Sequence, residues 1–231
     1  ISNNNYPMSA GIASSAAAFA ALAAAASRAV GLDLDEAALS RLARRGSGSA
    51  CRSIPTGFAE WQAGSSDEDS YAHSIASPDH WALVDLIAVV SSTHKSVGSS
   101  TGHALAASSP IQLARVADCA RRLEICRKAI LERDFTTFAD IVEQYSNLMH
   151  AGMMSSSPRL LYWEPATLAI MSKVQTWRAE GLQACYTIDA GPNVNVLCPQ
   201  ELADEVQAQW QTMEEIKILF RSPAGEGTHL V

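Results

Sequence analysis

The sequence predicts an α+β fold, because helical and strand-like stretches mix without regular βα alternation and without internal repeats. Two observations carry this reading. Residues 83–91 (Leu-Val-Asp-Leu-Ile-Ala-Val-Val-Ser) are apolar and rich in β-branched side chains, the clearest strand in the chain. Residues 12–30, dominated by alanine and stopped at Gly31, are the clearest helix. With 231 residues the chain suffices for one large domain or two small ones, and a boundary near residue 80 divides it into 1–80 and 81–231.

The remaining elements follow in order. Asp33 or Asp35 caps a second helix that runs to Arg45 before Gly46. Residues 47–53 are small, polar and glycine-broken, and 57–62 form a short strand. Residues 65–70 and 77–80 are turns, and residues 93–101 form a Ser/Gly loop after the main strand. Helices are expected over 111–133, 135–149 and 162–181, the last interrupted near Pro165. Residues 185–188 and 194–197 alternate as paired strands around Asp189-Ala-Gly-Pro-Asn193. A helix over 200–213, a strand over 216–220 and a Gly-rich tail complete the chain.

Composition narrows the function classes. Hydrophobic residues make up 48% and charged residues 18%, which excludes wholesale disorder. The net charge of −7 argues against a nucleic-acid partner, since phosphate neutralisation needs a basic face. Five cysteines, odd in number and without CxxC spacing, suggest neither a disulfide framework nor a zinc site and fit a reduced, cytoplasmic setting. Residues 10–26 are the most apolar stretch. Ser14, Ser15 and Ser27 interrupt or close it and Arg28 follows, so it reads as a buried helix and not as a membrane span.

Four segments can carry chemistry. The first is Pro7 to Ala17, where Gly11, Ser14 and Ser15 open the long helix; small residues and free N–H groups at a helix start suit a phosphate, or simply a capped and closely packed helix. The second places Arg41, Arg44, Arg45 and Arg52 around Gly46-Ser47-Gly48-Ser49. Arginine forks pair with carboxylate or phosphate, but Arg41 and Arg44 also suit a helix C-terminus, whereas Arg52 lies beyond the cap. The third is Asp189, a base or hydroxyl-orienting group, or an ordinary turn residue. The fourth is the loop from Lys95 to Thr101, containing Ser99, a phosphate donor or a plain connection. Asn147 and His150, spaced i, i+3, could face a cleft; the six histidines show no metal-ligand spacing and G-x-S-x-G is absent.

The order of these segments carries a resemblance. Pro7 to Ala17 resembles the P-x-x-x-G-[LI]-x-S-S-A motif of the GHMP kinase superfamily. Within it, Arg44-Arg-Gly-Ser-Gly-Ser-Ala-Cys-Arg52-Ser, Gly57-Phe-Ala-Glu-Trp61, the Lys95 to Gly102 segment, Ser146-Asn147 to His150-Ala151, and Tyr186-Thr-Ile-Asp189-Ala-Gly-Pro-Asn193 resemble the mevalonate diphosphate decarboxylase family. The resemblance runs from Asn3 to about Glu205. It implies a GHMP-type two-domain sandwich, with a ribosomal protein S5 domain 2-like N-terminal part over 1–80 and a ferredoxin-like C-terminal domain over 81–231. It also implies ATP- and Mg²⁺-dependent decarboxylation of mevalonate 5-diphosphate. Asp189 matches the aspartate beside the substrate's 3-hydroxyl, Arg52 the arginine on its carboxylate, Ser47, Ser49 and Ser99 substrate-binding serines, and Gly11, Ser14 and Ser15 the ATP phosphate loop. No metal ligand is assigned.

Family members carry roughly a further hundred residues before this point, in line with completing a domain of ordinary size. The chain is therefore expected to be N-terminally incomplete and inactive alone. Action on mevalonate 5-phosphate, 3-kinase chemistry without decarboxylation, and a non-catalytic partner-binding role are the alternatives. A homodimer is the usual expectation for such an enzyme, with neither nucleic acid nor membrane as a partner.

Overall fold

A computed structural model describes residues 14–91, 99–210 and 213–230, with the side chains of Ser99 and Ser100 outside that description. Its described residues fall into two units, Leu83–Pro223 on one side and residues 14–82 with 224–230 on the other. The switch lies between Ala82 and Leu83. The expected division gave the tail to the second domain; here residues 224–230 return to the first unit. There Gly57 N–H donates to Gly225 O (3.0 Å), Thr228 N–H to Ile54 O (3.2 Å) and the Thr228 hydroxyl to Ser53 O (2.7 Å).

The first unit opens with α1 (Ser14–Ala29) and α2 (Glu36–Gly46). Asp35 caps α2, its Oδ1 accepting Ala38 N–H at 2.7 Å. Alanine lets the helices approach closely. Ala20, Ala23, Ala43 and Ala50 form a small core with Ile54, and Leu39 packs against it. A 3-10 turn over Gly48–Ser53 follows, then the antiparallel pair β1 (Phe58–Trp61) and β2 (Ala72–Ala76). Ser40 joins these parts. Its buried hydroxyl donates to Cys51 O (3.1 Å) and accepts Ala72 N–H (2.9 Å), so α2 holds both the 3-10 turn and β2.

The second unit contains β3 (Leu83–Val89), α3 (Ser99–Ala106), α4 (Gln112–Ala117), α5 (Cys119–Glu132), α6 (Phe135–Met154), α7 (Pro165–Ala179), β4 (Cys185–Thr187), β5 (Val194–Pro199), α8 (Ala203–Trp210) and β6 (Ile218–Pro223). The four strands form an antiparallel sheet in the order β4-β5-β3-β6. That order, with helices between β3 and β4 and between β5 and β6, is the ferredoxin-like arrangement. Alternation along β3 sends Val84, Leu86 and Ala88 into a core shared with Val194, Val196 and Tyr186. Ile170, Val174 and Trp177 of α7 and Val206 and Trp210 of α8 close that core. Burying each such aliphatic side chain stabilises the fold by roughly 1.5–3 kcal/mol.

Several element bounds differ from the sequence reading. The helix expected over 111–133 is two helices, divided at Asp118, whose carboxylate takes Arg121 and Arg122. The helix expected from residue 162 starts at Pro165, where the fixed proline φ suits a first turn. Strand β2 and helix α3 have no clear sequence signal, because His73-Ser74 breaks the apolar pattern of one and Ser99-Ser-Thr-Gly102 reads as loop in the other.

Candidate active site

In the first unit the candidate serines come together. Ser15, in the first turn of α1, has its Oγ 3.2 Å from Ser47 Oγ, and Ser47 Oγ lies 3.5 Å from Ser49 Oγ. Ser47 ends α2, its N–H donating to Ala43 O, and then begins the 3-10 turn that carries Ser49 and Arg52. A helix start and a tight turn thus gather three hydroxyls, an arrangement suited to phosphoryl oxygens. Ser14 stands beside Ser15 in the same turn. Gly11 and residues 95–98 lie outside the described residues; Ser99 opens α3.

The four arginines separate by role. Arg41 donates to Glu68 O (3.3 Å), Arg44 to both Asp67 O (3.2 Å) and Asp67 Oδ1 (2.5 Å), and Arg45 to Asp67 Oδ2 (3.4 Å). That turn is ordered by Asp69, which accepts the N–H and hydroxyl of both Ser65 and Ser66 and whose carboxyl is thereby held well below the usual range. Arg41, Arg44 and Arg45 therefore fasten α2 to the 65–69 turn. Arg52 is exposed, and its guanidinium makes no hydrogen bond or ion pair with the described residues. Beside it, burial pushes the Cys51 thiol up, with the charges of Arg52 and Arg44 opposing.

In the second unit Asp189 is exposed in the turn between β4 and β5, and its neighbours are fixed. Ile188 is buried; its N–H donates to Ser146 Oγ (3.0 Å), and its carbonyl accepts from Ser146 Oγ (3.4 Å) and His150 Nε2 (3.1 Å). On the far side, the Thr167 hydroxyl donates to Pro192 O (2.6 Å), and Asn193 Oδ1 accepts the N–H groups of Val90 (2.9 Å) and Ser91 (3.2 Å). Gly191 has φ +54°, and a Cβ there would lie 2.8 Å from Tyr162 O, so glycine is required. The cleft-facing expectation is corrected for His150, which is 1% exposed with its ring 5.0 Å from that of Trp163; Asn147 is half-buried, its Nδ2 donating to Tyr186 Oη (3.0 Å).

Asp85 on β3 lies elsewhere on the sheet. Its Oδ1 is buried with no hydrogen-bond partner among the described residues, and burial, with the Asp189 charge adding, pushes its carboxyl up to about 7. Among the described residues no group of three His, Cys, Asp or Glu could hold a metal ion, and no helix is long and apolar enough to cross a membrane. A magnesium ion carried by a polyphosphate, with water and phosphate as most of its ligands, still fits a hydroxyl-rich site of this kind.

Two protein families match the chain: the diphosphomevalonate decarboxylase-like N-terminal domain over residues 1–72 and the mevalonate 5-diphosphate decarboxylase C-terminal domain over residues 85–221. Diphosphomevalonate decarboxylase of Candida albicans is 40% identical over 211 residues, covering 89% of this chain and 58% of the relative. A solved structure described as MDDEF in complex with MVAPP, AMPPCP and magnesium is 37% identical with a TM-score of 0.89, covering 96% of this chain and 68% of that one. The mevalonate diphosphate decarboxylase of Enterococcus faecalis, in a structure on mevalonate diphosphate-mediated ATP binding, is 36% identical with a TM-score of 0.85, covering 96% and 68%. The chain thus spans little more than half the length of the curated relative.

Proposed function

Because the chain belongs to the mevalonate diphosphate decarboxylase family, we propose that the protein carries out ATP-dependent decarboxylation of mevalonate 5-diphosphate to isopentenyl diphosphate, releasing ADP, phosphate and CO2. The observation that carries the reading is the gathering of Ser15, Ser47 and Ser49 around the turn that presents Arg52, whose guanidinium has no hydrogen-bond or ion-pair partner among the described residues. Anion donors and an exposed guanidinium on one short segment are what a substrate bearing both phosphate and carboxylate demands.

Each residue then has a task. Ser47 and Ser49 donate to substrate phosphoryl oxygens, and Ser14 and Ser15, with Gly11, to those of the nucleotide. Ser99 belongs to the substrate set. Magnesium, when bound, neutralises phosphate charge. Arg52 holds the substrate carboxylate as a fork. Asp189 orients the 3-hydroxyl and takes its proton as the hydroxyl attacks the γ-phosphate, so the turn that fixes Asp189 sets the attack geometry. As the 3-phosphate departs it takes that proton back from Asp189, and the restored carboxylate stabilises the electron-deficient tertiary carbon while CO2 leaves. A cytoplasmic, homodimeric enzyme with no nucleic-acid partner completes the proposal; five free cysteines and the net charge of −7 support its first and last parts.

The test is ADP and CO2 release by the full-length protein with Mg-ATP, comparing mevalonate 5-diphosphate with the 5-phosphate. Matched ADP and CO2 from the diphosphate is the expected result, and preference for the monophosphate would reassign the substrate. ADP without CO2 would leave a 3-kinase and remove the role of Arg52. No ADP with either substrate would sink the enzyme reading and favour a non-catalytic role.

A further inference from the structure

The ladder between β4 and β5 ends at the pair Thr187–Asn195, so Ile188 lies beyond it and strand pairing does not hold the residue that precedes Asp189. Helix α6 does so instead. Ser146 and His150, one helical turn apart on the same face, engage both backbone groups of Ile188 from 42 and 38 positions away. Ser146 Oγ accepts the Ile188 N–H, and His150 Nε2 meets the Ile188 carbonyl, which only accepts, so Nε2 carries the hydrogen. Both side chains are almost fully buried, at 0% and 1% exposure. The imidazole cannot swing away, because Trp163 lies against it (centroids 5.0 Å apart) and Tyr162 meets it edge-on (6.2 Å).

We infer that Ser146 and His150 are positioning residues for Asp189, acting through the Ile188 peptide. The inference rests on the proposed role of Asp189 in proton transfer. The Ile188 side chain is locked in the core and its N–H and C=O are locked by α6, so the peptide plane leading into Asp189 has one orientation. An exposed carboxylate thereby gains a fixed root, and a misplacement of about 1 Å at a reacting group can cost on the order of 100-fold in rate. A buried serine and a buried histidine are otherwise poor choices for a helix face that an alanine and a leucine would fill.

The test compares the full-length wild type with Ser146→Ala, Ser146→Thr, His150→Leu and His150→Gln, the second of each pair keeping a hydroxyl or an N–H donor. Measurements are kcat, KM for both substrates, melting temperature and hydrogen exchange of the Ile188 amide. Expected for Ser146→Ala and His150→Leu is a fall in kcat of roughly 10- to 100-fold with both KM values within about twofold. Ile188 exchange should quicken in Ser146→Ala, and at least one donor-keeping variant should recover most of the rate. Unchanged kcat in Ser146→Ala and His150→Leu would overturn the inference. So would a rate loss shared by all four variants in step with the melting temperature, which would mark a structural role alone. A wild type that releases no ADP would sink the proposed function itself, and the inference with it, so the two failures are told apart by the wild type.

Discussion

Arg178 on α7 grips Glu143 on α6 through both nitrogens of its fork, with Nη2 2.8 Å from Oε2, while Nη1 also donates to Ala184 O (3.1 Å). Glu143 Oε1 in turn accepts the Tyr186 N–H (3.2 Å), so one ion pair joins two helices to the entry of β4. The Glu143 side chain is 8% exposed. Arg178→Met should therefore strand a buried carboxylate and cost roughly 3 kcal/mol. The double variant Glu143→Gln with Arg178→Met should recover part of that loss, as read from urea midpoints. Equal stabilities of the wild type and Arg178→Met would show that water replaces the pair.

The Asp85 carboxyl rises from 3.8 in its ordinary state to about 7 in the fold. The folded chain thus keeps a proton that the unfolded chain releases between those values. The stability this group contributes is present in full below pH 4 and is lost as the pH rises through 7. Asp85→Asn should flatten that slope and stabilise the protein at pH 8 by an amount of order 2 kcal/mol, at most about 4. Urea unfolding at pH 5 and pH 8 reads the difference directly, and parallel slopes for wild type and variant would refute it.

Gly191→Ala places a Cβ against Tyr162 O at a positive φ. Strain of about 1–3 kcal/mol is expected, with the turn carrying Asp189 shifted. Turnover should fall by more than tenfold while the melting temperature drops by only a few degrees. A variant with full turnover would mean that the 189–193 turn tolerates the shift.

Arg52→Lys keeps the charge and loses the fork. Because the Arg52 guanidinium is exposed and makes no hydrogen bond or ion pair with the described residues, the melting temperature of this variant should not change. The KM for the mevalonate substrate should rise about tenfold or more, the KM for ATP staying within twofold. A rise confined to ATP would move Arg52 to the nucleotide.

Asp189→Asn should abolish turnover and leave nucleotide binding within about threefold of wild type, since the variant removes the base and spares the phosphate donors. Calorimetric titration with a non-hydrolysable ATP analogue checks the second half. Loss of nucleotide affinity along with turnover would count against the proposed role.

What could be read in the sequence was local. Asp33 and Asp35 both precede a helical pattern as caps, of which the fold uses Asp35, and the β-branched run at Leu83 declares a strand. Asp189 was visible as a carboxylate in a turn between two apolar runs. What escaped was decided between distant segments. Arg41 and Arg44 suit a helix C-terminus and Arg52 lies beyond the cap, but the 65–69 turn that engages Arg41, Arg44 and Arg45 is more than twenty residues away and no local pattern names it. Ser146 and His150 gave one hint, their i, i+4 spacing, but the partner lies about forty residues away and no local pattern names it. Strand β2 shows the same limit: its polar residues pair with β1, and only the partner makes it a strand.

The returning tail has a topological consequence. Residues 83–223 enter through β3 and leave through β6, where Val84 and Pro223 stand opposite each other in the strand register. Among the described residues the second unit is therefore an insertion into the first, entered through β3 and left through β6. A single cut at either crossing leaves the two units covalently joined through the other, and residues 83–223 form one uninterrupted stretch of chain whose two ends already meet.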